Sequence, residues 1–173
     1  LFETARIGSL ELSNKLVRAA MAERMATPEG YVTPKLIELY EDLARGGVGL
    51  IITGHMYVHP TGKCHPEMTA IYDDRFVPGL TELASAIHKA GGKAVVQINH
   101  GGMQCSQETV DQLVSSSDIT SDLFPQPVRG MSQSEVLSII EAYGEAARRV
   151  KEAGFDGVQI HGAHGYLVNQ FLS

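Results

Sequence analysis

No run of apolar residues in this sequence approaches the ~18 that a membrane-spanning helix needs, which excludes a protein of that kind. Basic charge is also short. Fourteen lysines and arginines stand against 20 aspartates and glutamates, a formal charge of -6, so neither nucleic acid nor an acidic membrane surface is an expected partner. Cys64 and Cys105 are the 2 cysteines and allow one bridge at most. The opening LFETARIGSL lacks the charged-then-apolar pattern of a secretory signal, so a reducing cytoplasm is the expected location. The cysteine spacing fits no zinc pattern, which leaves Cys64, His65 and Cys105 as loop residues. Gly101-Gly102 lacks the GxGxxG spacing and no P-loop is present, so neither a dinucleotide-binding nor a nucleotide-hydrolysing fingerprint is found. What is left is a globular composition, 43% hydrophobic and 20% charged, in 173 residues. That is about one domain's worth on a prior of ~100 to 200 residues per domain. The missing initiator methionine and the abrupt Phe171-Leu172-Ser173 lead us to expect a processed or partial chain.

A three-fold pattern organises the sequence. Ala44-Arg45-Gly46-Gly47 runs into Val48 to Ile52, Lys89-Ala90-Gly91-Gly92 into Ala94 to Ile98, and Lys151-Glu152-Ala153-Gly154 into Gly157 to Ile160. Glycine closes a helix in the left-handed conformation, and basic residues in the last turn suit the negative end of the helix dipole. Each segment therefore reads as a helix-to-strand junction. The helices carry start signals too. Thr33-Pro34 is an N-cap with proline at the first helical position, followed by Leu36, Leu39, Tyr40 and Leu43 on one face. Ser132 and Glu135 fit a capping box ahead of an apolar stripe from Val136 to Val150. The middle helix is read from Val77, Leu80, Leu83 and Ile87.

The strands are short continuous apolar runs, the pattern of strands covered on both faces. Lys15 to Ala19 is the expected first of them, preceded by a small hairpin over Arg6 to Leu12 around Gly8-Ser9. Strands alternating with helices predict a parallel sheet of right-handed βαβ units. A closed (β/α)8 barrel takes about 250 residues. Four strands at this spacing make half a barrel or a small open sheet. The connections after the strands are long, Ala20 to Val32, Gly54 to Tyr72 and Asn99 to Met131, and those from helix back to strand are short. Long βα loops on one rim are where barrel enzymes keep their chemistry. Ser115 to Pro127 is read as loop within the third of them.

The densest chemistry lies in Val158-Gln159-Ile160-His161-Gly162-Ala163-His164-Gly165-Tyr166-Leu167, at and beyond the end of the last strand. Two imidazoles able to donate to a substrate oxygen emerge with a phenol able to give a proton. A metal site and ordinary loop histidines stay open as readings of the HxxH pair, although no neighbouring carboxylate or thiolate completes a ligand set. Gln97, inside an otherwise apolar strand, needs hydrogen-bond partners, either backbone or a flat heterocycle with alternating donors and acceptors.

These segments, in order, resemble a known family. Ile7-Gly8, Leu10, Leu12, Asn14-Lys15-Leu16-Val17, Ala20-Met21-Ala22, Gly49 to Ile52, Gln97 to Gly102, His161 to Leu167 and Gln170 to Ser173 are together similar to the Old Yellow Enzyme family of FMN-dependent oxidoreductases, also called the NADH:flavin oxidoreductase family. The resemblance runs the length of the chain and implies the N-terminal half of a (β/α)8 TIM barrel over residues 1–173, with four strands and a hairpin closing its bottom. It implies Ala20, Met21 and Ala22 along the flavin ring, Gly54 and His55 with backbone near it, and Gln97 on its pyrimidine side. It also implies that His161 and His164 bind the carbonyl oxygen of an unsaturated substrate and that Tyr166 is the proton donor, with FMN as cofactor and NADH or NADPH as reductant. Three positions depart from the family's habit. Ala22 stands where many members have Thr or Cys, His55 is bulkier than the small residue expected there, and Arg24 stands where some members carry a tyrosine. Arg24 points to an acidic substrate or is an exposed loop arginine. Barrels of this kind commonly hold the cofactor phosphate after strands 7 and 8, so the expectation is weak FMN binding by this chain alone. Unpaired edge strands lead to an expectation of self-association or of pairing with the missing half. A non-catalytic half-barrel and a metal-dependent hydrolase are the alternatives.

Overall fold

The computed structural model describes residues 1–120, 122 and 124–173. Its three helix-to-strand junctions are built alike: Gly47, Gly91 and Gly154 have φ of +82°, +86° and +88°. A side chain rarely adopts that left-handed conformation, which is why glycine recurs there. The order is β1 (Ala5–Ile7), β2 (Leu10–Leu12), β3 (Val17–Arg18), α1 (Pro34–Arg45), β4 (Leu50–Ile52), β5 (Met56–Tyr57), α2 (Val77–Lys89), β6 (Ala94–Asn99), β7 (Val114–Ser115), β8 (Arg129–Gly130), α3 (Gln133–Glu152), β9 (Gly157–Ile160) and α4 (Leu167–Leu172). Thr33 caps α1 by accepting from the Leu36 N–H, and Ser132 and Glu135 close a reciprocal capping box on α3.

β1 and β2 form the antiparallel hairpin. β3, β4, β6 and β9 pair in that order, all parallel, and each neighbouring pair after β3 is joined through a helix, as in half of a (β/α)8 barrel. The helices cover one face of this sheet. Leu36, Tyr40 and Ala44 of α1, Leu80, Leu83 and Ile87 of α2 and Ala146 and Val150 of α3 meet Ile51, Ala94, Val96 and Ile98 in one buried cluster. Full burial of such Leu, Ile and Val side chains stabilises by about 1.5–3 kcal/mol each.

Three details differ from the sequence reading. The first barrel strand is Val17–Arg18, shorter than Lys15 to Ala19. The second breaks after Ile52 and resumes as β5 against the far end of β6. Ile52 pairs with Val95 and Met56 with Ile98, four steps on one strand against three on the other, so one extra residue bulges at Thr53 to His55. The last strand is not covered on both faces. Val158 and Ile160 lie in register with the buried Val96 and Ile98, yet are 37% and 59% exposed, because α3, which contacts β9, leaves these two side chains open. The long third loop holds the short parallel pair β7 and β8; Ser121 and Leu123, part of the expected Ser115 to Pro127 loop, lie outside the described residues.

Candidate active site

The His161 to Tyr166 segment leaves β9 with the ladder still running, its first N–H donating to the Ile98 carbonyl at 3.0 Å. It then reverses. His164 and Gly165 take φ of +58° and +72°, after which the Leu167 N–H reaches the carbonyl of His100, just past the end of β6, at 3.0 Å. Left-handed φ on a non-glycine costs of order 1–3 kcal/mol and persists only where the surroundings enforce it.

 

Here the surroundings are Gln104, which donates to the His164 carbonyl at 2.5 Å, Asn169, which accepts from the Gly165 N–H at 2.8 Å, and Gln170. The buried Gln170 amide donates to the Gly165 carbonyl at 2.6 Å and accepts from Ser115 Oγ at 3.0 Å, tying the turn to β7.

This turn closes one side of a cavity of about 150 Å³ lined by Ala20, Met21, Ala22, His55, Gln97, His161, His164 and Tyr166. The His161 ring is 4.7 Å from that of Tyr166 and 5.2 Å from that of His164, centroid to centroid. His55, delivered by the bulge, lies 5.3 Å from Tyr166 and 5.9 Å from His161. On the cavity floor Gln97 Nε2 donates to Gln159 Oε1 at 2.7 Å, joining β6 to β9 through side chains and not through the backbone pairing open to it in the sequence reading. Eight of the nine residues expected at the site therefore meet around one space.

Gly54 is the ninth and stands behind the wall. Its N–H donates to Glu23 Oε1 at 3.0 Å and to Tyr40 Oη at 2.8 Å. A Cβ on it would sit 1.9 Å from Glu23 Oε2 and 2.5 Å from the Met21 carbonyl oxygen, so only glycine lets the 20–23 segment lie against the bulge. Glu23 Oε1 also accepts from Arg18 Nη2 at 2.8 Å and from the Tyr40 hydroxyl. Sequence reasoning assigns Arg18, Glu23 and Tyr40 no role at the site and reads Tyr40 only as part of the apolar face of α1; a charged residue in an apolar strand, Arg18, is the available signal. Gln159, in register with Gln97, carried a similar one.

Hydrogen bonds decide which ring nitrogens are free. His161 Nδ1 accepts from the Ala163 N–H at 3.3 Å, so the neutral ring carries its proton on Nε2. His55 Nδ1 faces the Asn99 amide nitrogen at 2.9 Å and is placed in the same way. Burial, and then the neighbouring His65, His161 and His164, lower the pKa of His55 to about 4. Burial and His164 lower that of His161, while burial and then Cys64 and Cys105 raise that of Tyr166. At neutral pH, His55 and His161 are thus uncharged donors and Tyr166 keeps its proton. Among the described residues no three His, Cys, Asp or Glu side chains are grouped as a metal ion requires.

Comparison with known proteins identifies the architecture. Residues 1–173 match the profile of the NADH:flavin oxidoreductase / NADH oxidase family over their whole length. The chain belongs to that family. It is 42% identical to the probable NADH-dependent flavin oxidoreductase YqiG of Bacillus subtilis (strain 168) and 39% identical to an NADH oxidase of Thermoanaerobacter brockii, covering all of this chain but 47% and 27% of those proteins. Among solved structures, morphinone reductase in complex with tetrahydroNAD superposes with a TM-score of 0.90 at 28% identity, over 100% of this chain and 52% of that one. A 2-naphthoyl-CoA reductase superposes at 0.95 with 27% identity, over 99% and 28%. The fold is accordingly the N-terminal half of the family's (β/α)8 barrel, and membership implies FMN with a nicotinamide reductant.

The residues present fit a flavin ring of this family. Among the described residues, the side-chain atoms Gln97 Oε1 and Gln159 Nε2 have no protein partner, although the two side chains bond each other through Gln97 Nε2 and Gln159 Oε1. That leaves an acceptor and a donor side by side on the cavity floor, the alternation a flat heterocycle's edge can answer. The wall beside it is made of small or flexible side chains, Ala20, Met21 and Ala22. Among the described residues no helix is long and apolar enough to cross a membrane.

Proposed function

We propose that this chain provides the ring-facing and substrate-facing half of an FMN-dependent ene-reductase, which reduces the activated C=C bond of an unsaturated carbonyl compound at the expense of NADH or NADPH in the cytoplasm. The observation that carries this reading is the convergence of His161, His164 and Tyr166 on the cavity that Ala20, Met21, Ala22 and Gln97 also line. Gln97 would hold the pyrimidine side of the ring, Ala20 to Ala22 and the backbone at Gly54 and His55 would flank it, and FMN when bound would supply the hydride that reaches the β-carbon of the substrate.

The protein's own part is charge and proton management. As the β-carbon accepts hydride, the π pair moves toward the carbonyl oxygen. His161, donating from Nε2, and His164 meet that oxygen, and one well-placed donor is worth about 3 kcal/mol at such a position. The neutral state of His161 suits this role, because it can donate without first being stripped of a partner charge. Tyr166 then passes its hydroxyl proton to the α-carbon, and its raised pKa keeps that proton in place until negative charge develops.

The test uses the full-length holoenzyme and 2-cyclohexen-1-one. Titration is followed by the change in flavin absorbance, and NADPH or NADH consumption is followed separately. His161→Ala is expected to abolish the spectral response to the enone. Unchanged affinity would reject the assigned role. A second reading, a half-barrel that assembles without catalysis, draws on the uncovered outer face of β9. Enone-dependent consumption of reduced nicotinamide by the full-length protein separates it from the first. We further propose that the chain in isolation binds FMN weakly and self-associates; stoichiometric tight binding by a monomer would overturn both statements.

A further inference from the structure

Cys64 and Cys105 are far apart in sequence and belong to different loops, yet the fold sets them face to face beside the site. Cys64 follows the turn after β5, and Cys105 ends the short 3-10 turn at Gly102–Gln104 after β6. Each sulfur lies 2.6 Å from the point where a Cβ on Gly101 would stand. The two thiols therefore share the space that a side chain at 101 would fill. Gly101 has φ of -66°, open to any residue, so its backbone does not require glycine; the sulfurs do. Both cysteines are free thiols, Cys105 buried and Cys64 half-buried. Cys105 Sγ donates to the Thr61 carbonyl at 3.4 Å and Cys64 Sγ to the Gly62 carbonyl at 3.7 Å, which aims both from one turn.

The two thiols differ in ways that assign roles. Its hydrogen bond to Cys64, and then burial, push the Cys105 thiol pKa up, so it stays protonated. Cys64 is the more accessible sulfur, the one a peroxide reaches first, and receives a hydrogen bond from Asn99 Nδ2 at 3.8 Å. The same amide nitrogen faces His55 Nδ1 at 2.9 Å, so a change at the Cys64 sulfur is two contacts from a ring lining the cavity.

We propose that Cys64 and Cys105 form a reversible dithiol/disulfide couple, oxidised by a hydroperoxide and reduced by a small dithiol. The Cys64 thiolate attacks the peroxide O–O bond, giving a Cys64 sulfenic acid and, with hydrogen peroxide, one water. The Cys105 sulfur then attacks the sulfenic sulfur, forming the S–S bond and releasing a second water. Two thiols lose two electrons, which the peroxide gains, and the two thiol protons leave in the two waters. Transient, redox-sensing bridges are the usual disulfides of reducing compartments. The couple requires no flavin and stands whether or not the ene-reductase reading holds.

The full-length protein is treated with hydrogen peroxide, alkylated, digested with trypsin and analysed by mass spectrometry without reduction. Residues 64–75 and 94–129 are tryptic peptides, each carrying one of the two cysteines. The expected result is a linked pair of these peptides, two hydrogens lighter than the free pair, that disappears on treatment with dithiothreitol. Cys105→Ser is expected to accumulate a dimedone-reactive sulfenic acid on Cys64, and Cys64→Ser to leave Cys105 alkylatable at the same dose. Gly101→Ala, which drives the sulfurs apart, is expected to slow bridging on the order of tenfold, since disulfide geometry is narrow. The wild-type protein needs no variant to decide the matter: the linked pair must form faster in the native state than in guanidinium chloride. Retention of both free thiols, bridging to other cysteines only, or equal rates in the native and unfolded states would each overturn the proposal.

Discussion

Removal of the Glu23 carboxylate is the sharpest test of how the cavity wall is held. Glu23 and Arg18 are 9% and 12% exposed at the side chain and 2.8 Å apart, so this ion pair has left water. The same Glu23 oxygen accepts from the Gly54 N–H at 3.0 Å and from Tyr40. Glu23→Ala leaves the Arg18 guanidinium buried with only the Ile52 carbonyl at 2.8 Å and a long contact to Tyr40 at 3.5 Å. Breaking one side of a buried pair typically costs about 3–5 kcal/mol. For a chain of this size each kcal/mol moves Tm by about 2–4 °C, so a fall of roughly 6–20 °C is expected.

The assay is urea unfolding followed by far-UV circular dichroism, because the sequence has no tryptophan to report by fluorescence. The midpoint should fall with the slope unchanged. Arg45→Ala is the control: its pairs with Glu41 and Asp42 are made by an arginine 58% exposed, and such pairs contribute about 1 kcal/mol or less. The double variant Arg18→Met, Glu23→Met should recover much of the loss, since a buried pair replaced by apolar side chains is often neutral. A cost for Glu23→Ala no greater than that for Arg45→Ala, or a double variant as unstable as the two single changes added together, would refute the reasoning.

Acid should weaken the fold through His55. The unfolded imidazole takes up a proton near pH 6.5 and the folded one only near pH 4, so stability is lost as pH falls between those values. The loss is roughly 3 kcal/mol, and His55→Phe should flatten that part of a stability-against-pH curve. Glu135 acts lower on the scale: Arg129 and then Ser132 lower its pKa from 4.5 to about 2, so its contribution is present above pH 4.5 and fades as pH drops toward 2. Glu135→Gln should remove that dependence, read by thermal melts across the window. Gln170→Ala should cost about 1–3 kcal/mol by stranding the Gly165 carbonyl and Ser115 hydroxyl, measured by urea midpoint. Ile160→Lys, on the uncovered face of β9, should reduce self-association of the isolated chain in sedimentation velocity.

The parts of this fold that could be read in advance are those decided by neighbours in sequence. Gly47, Gly91 and Gly154 close helices by their own backbone freedom, and Thr33 and Ser132 cap helices through residues three positions away. Apolar periodicity then placed α1, α2 and α3 because each buries one stripe. The bulge at Thr53 to His55 escaped that reading, since it exists only as a mismatch between two strands separated by a helix. So did the uncovered face of β9: Val158 and Ile160 are as apolar as their buried partners, and exposure depends on what packs over them.

The site divides along the same line. His161, His164 and Tyr166 emerge from one turn, so their meeting follows from sequence spacing plus the left-handed reversal at His164. Resemblance to a flavin family located the rest of the cavity lining. It did not reveal the Arg18–Glu23–Tyr40 set, whose members come from β3, the segment after it and α1, nor the approach of Cys64 to Cys105. Both depend on a glycine chosen for space and not for φ. At Gly54 the missing Cβ admits a carboxylate, and at Gly101 it admits two sulfurs. A glycine in a turn sequence looks the same whichever purpose it serves, and only the atoms brought against it from elsewhere in the chain distinguish a hinge from a vacated space.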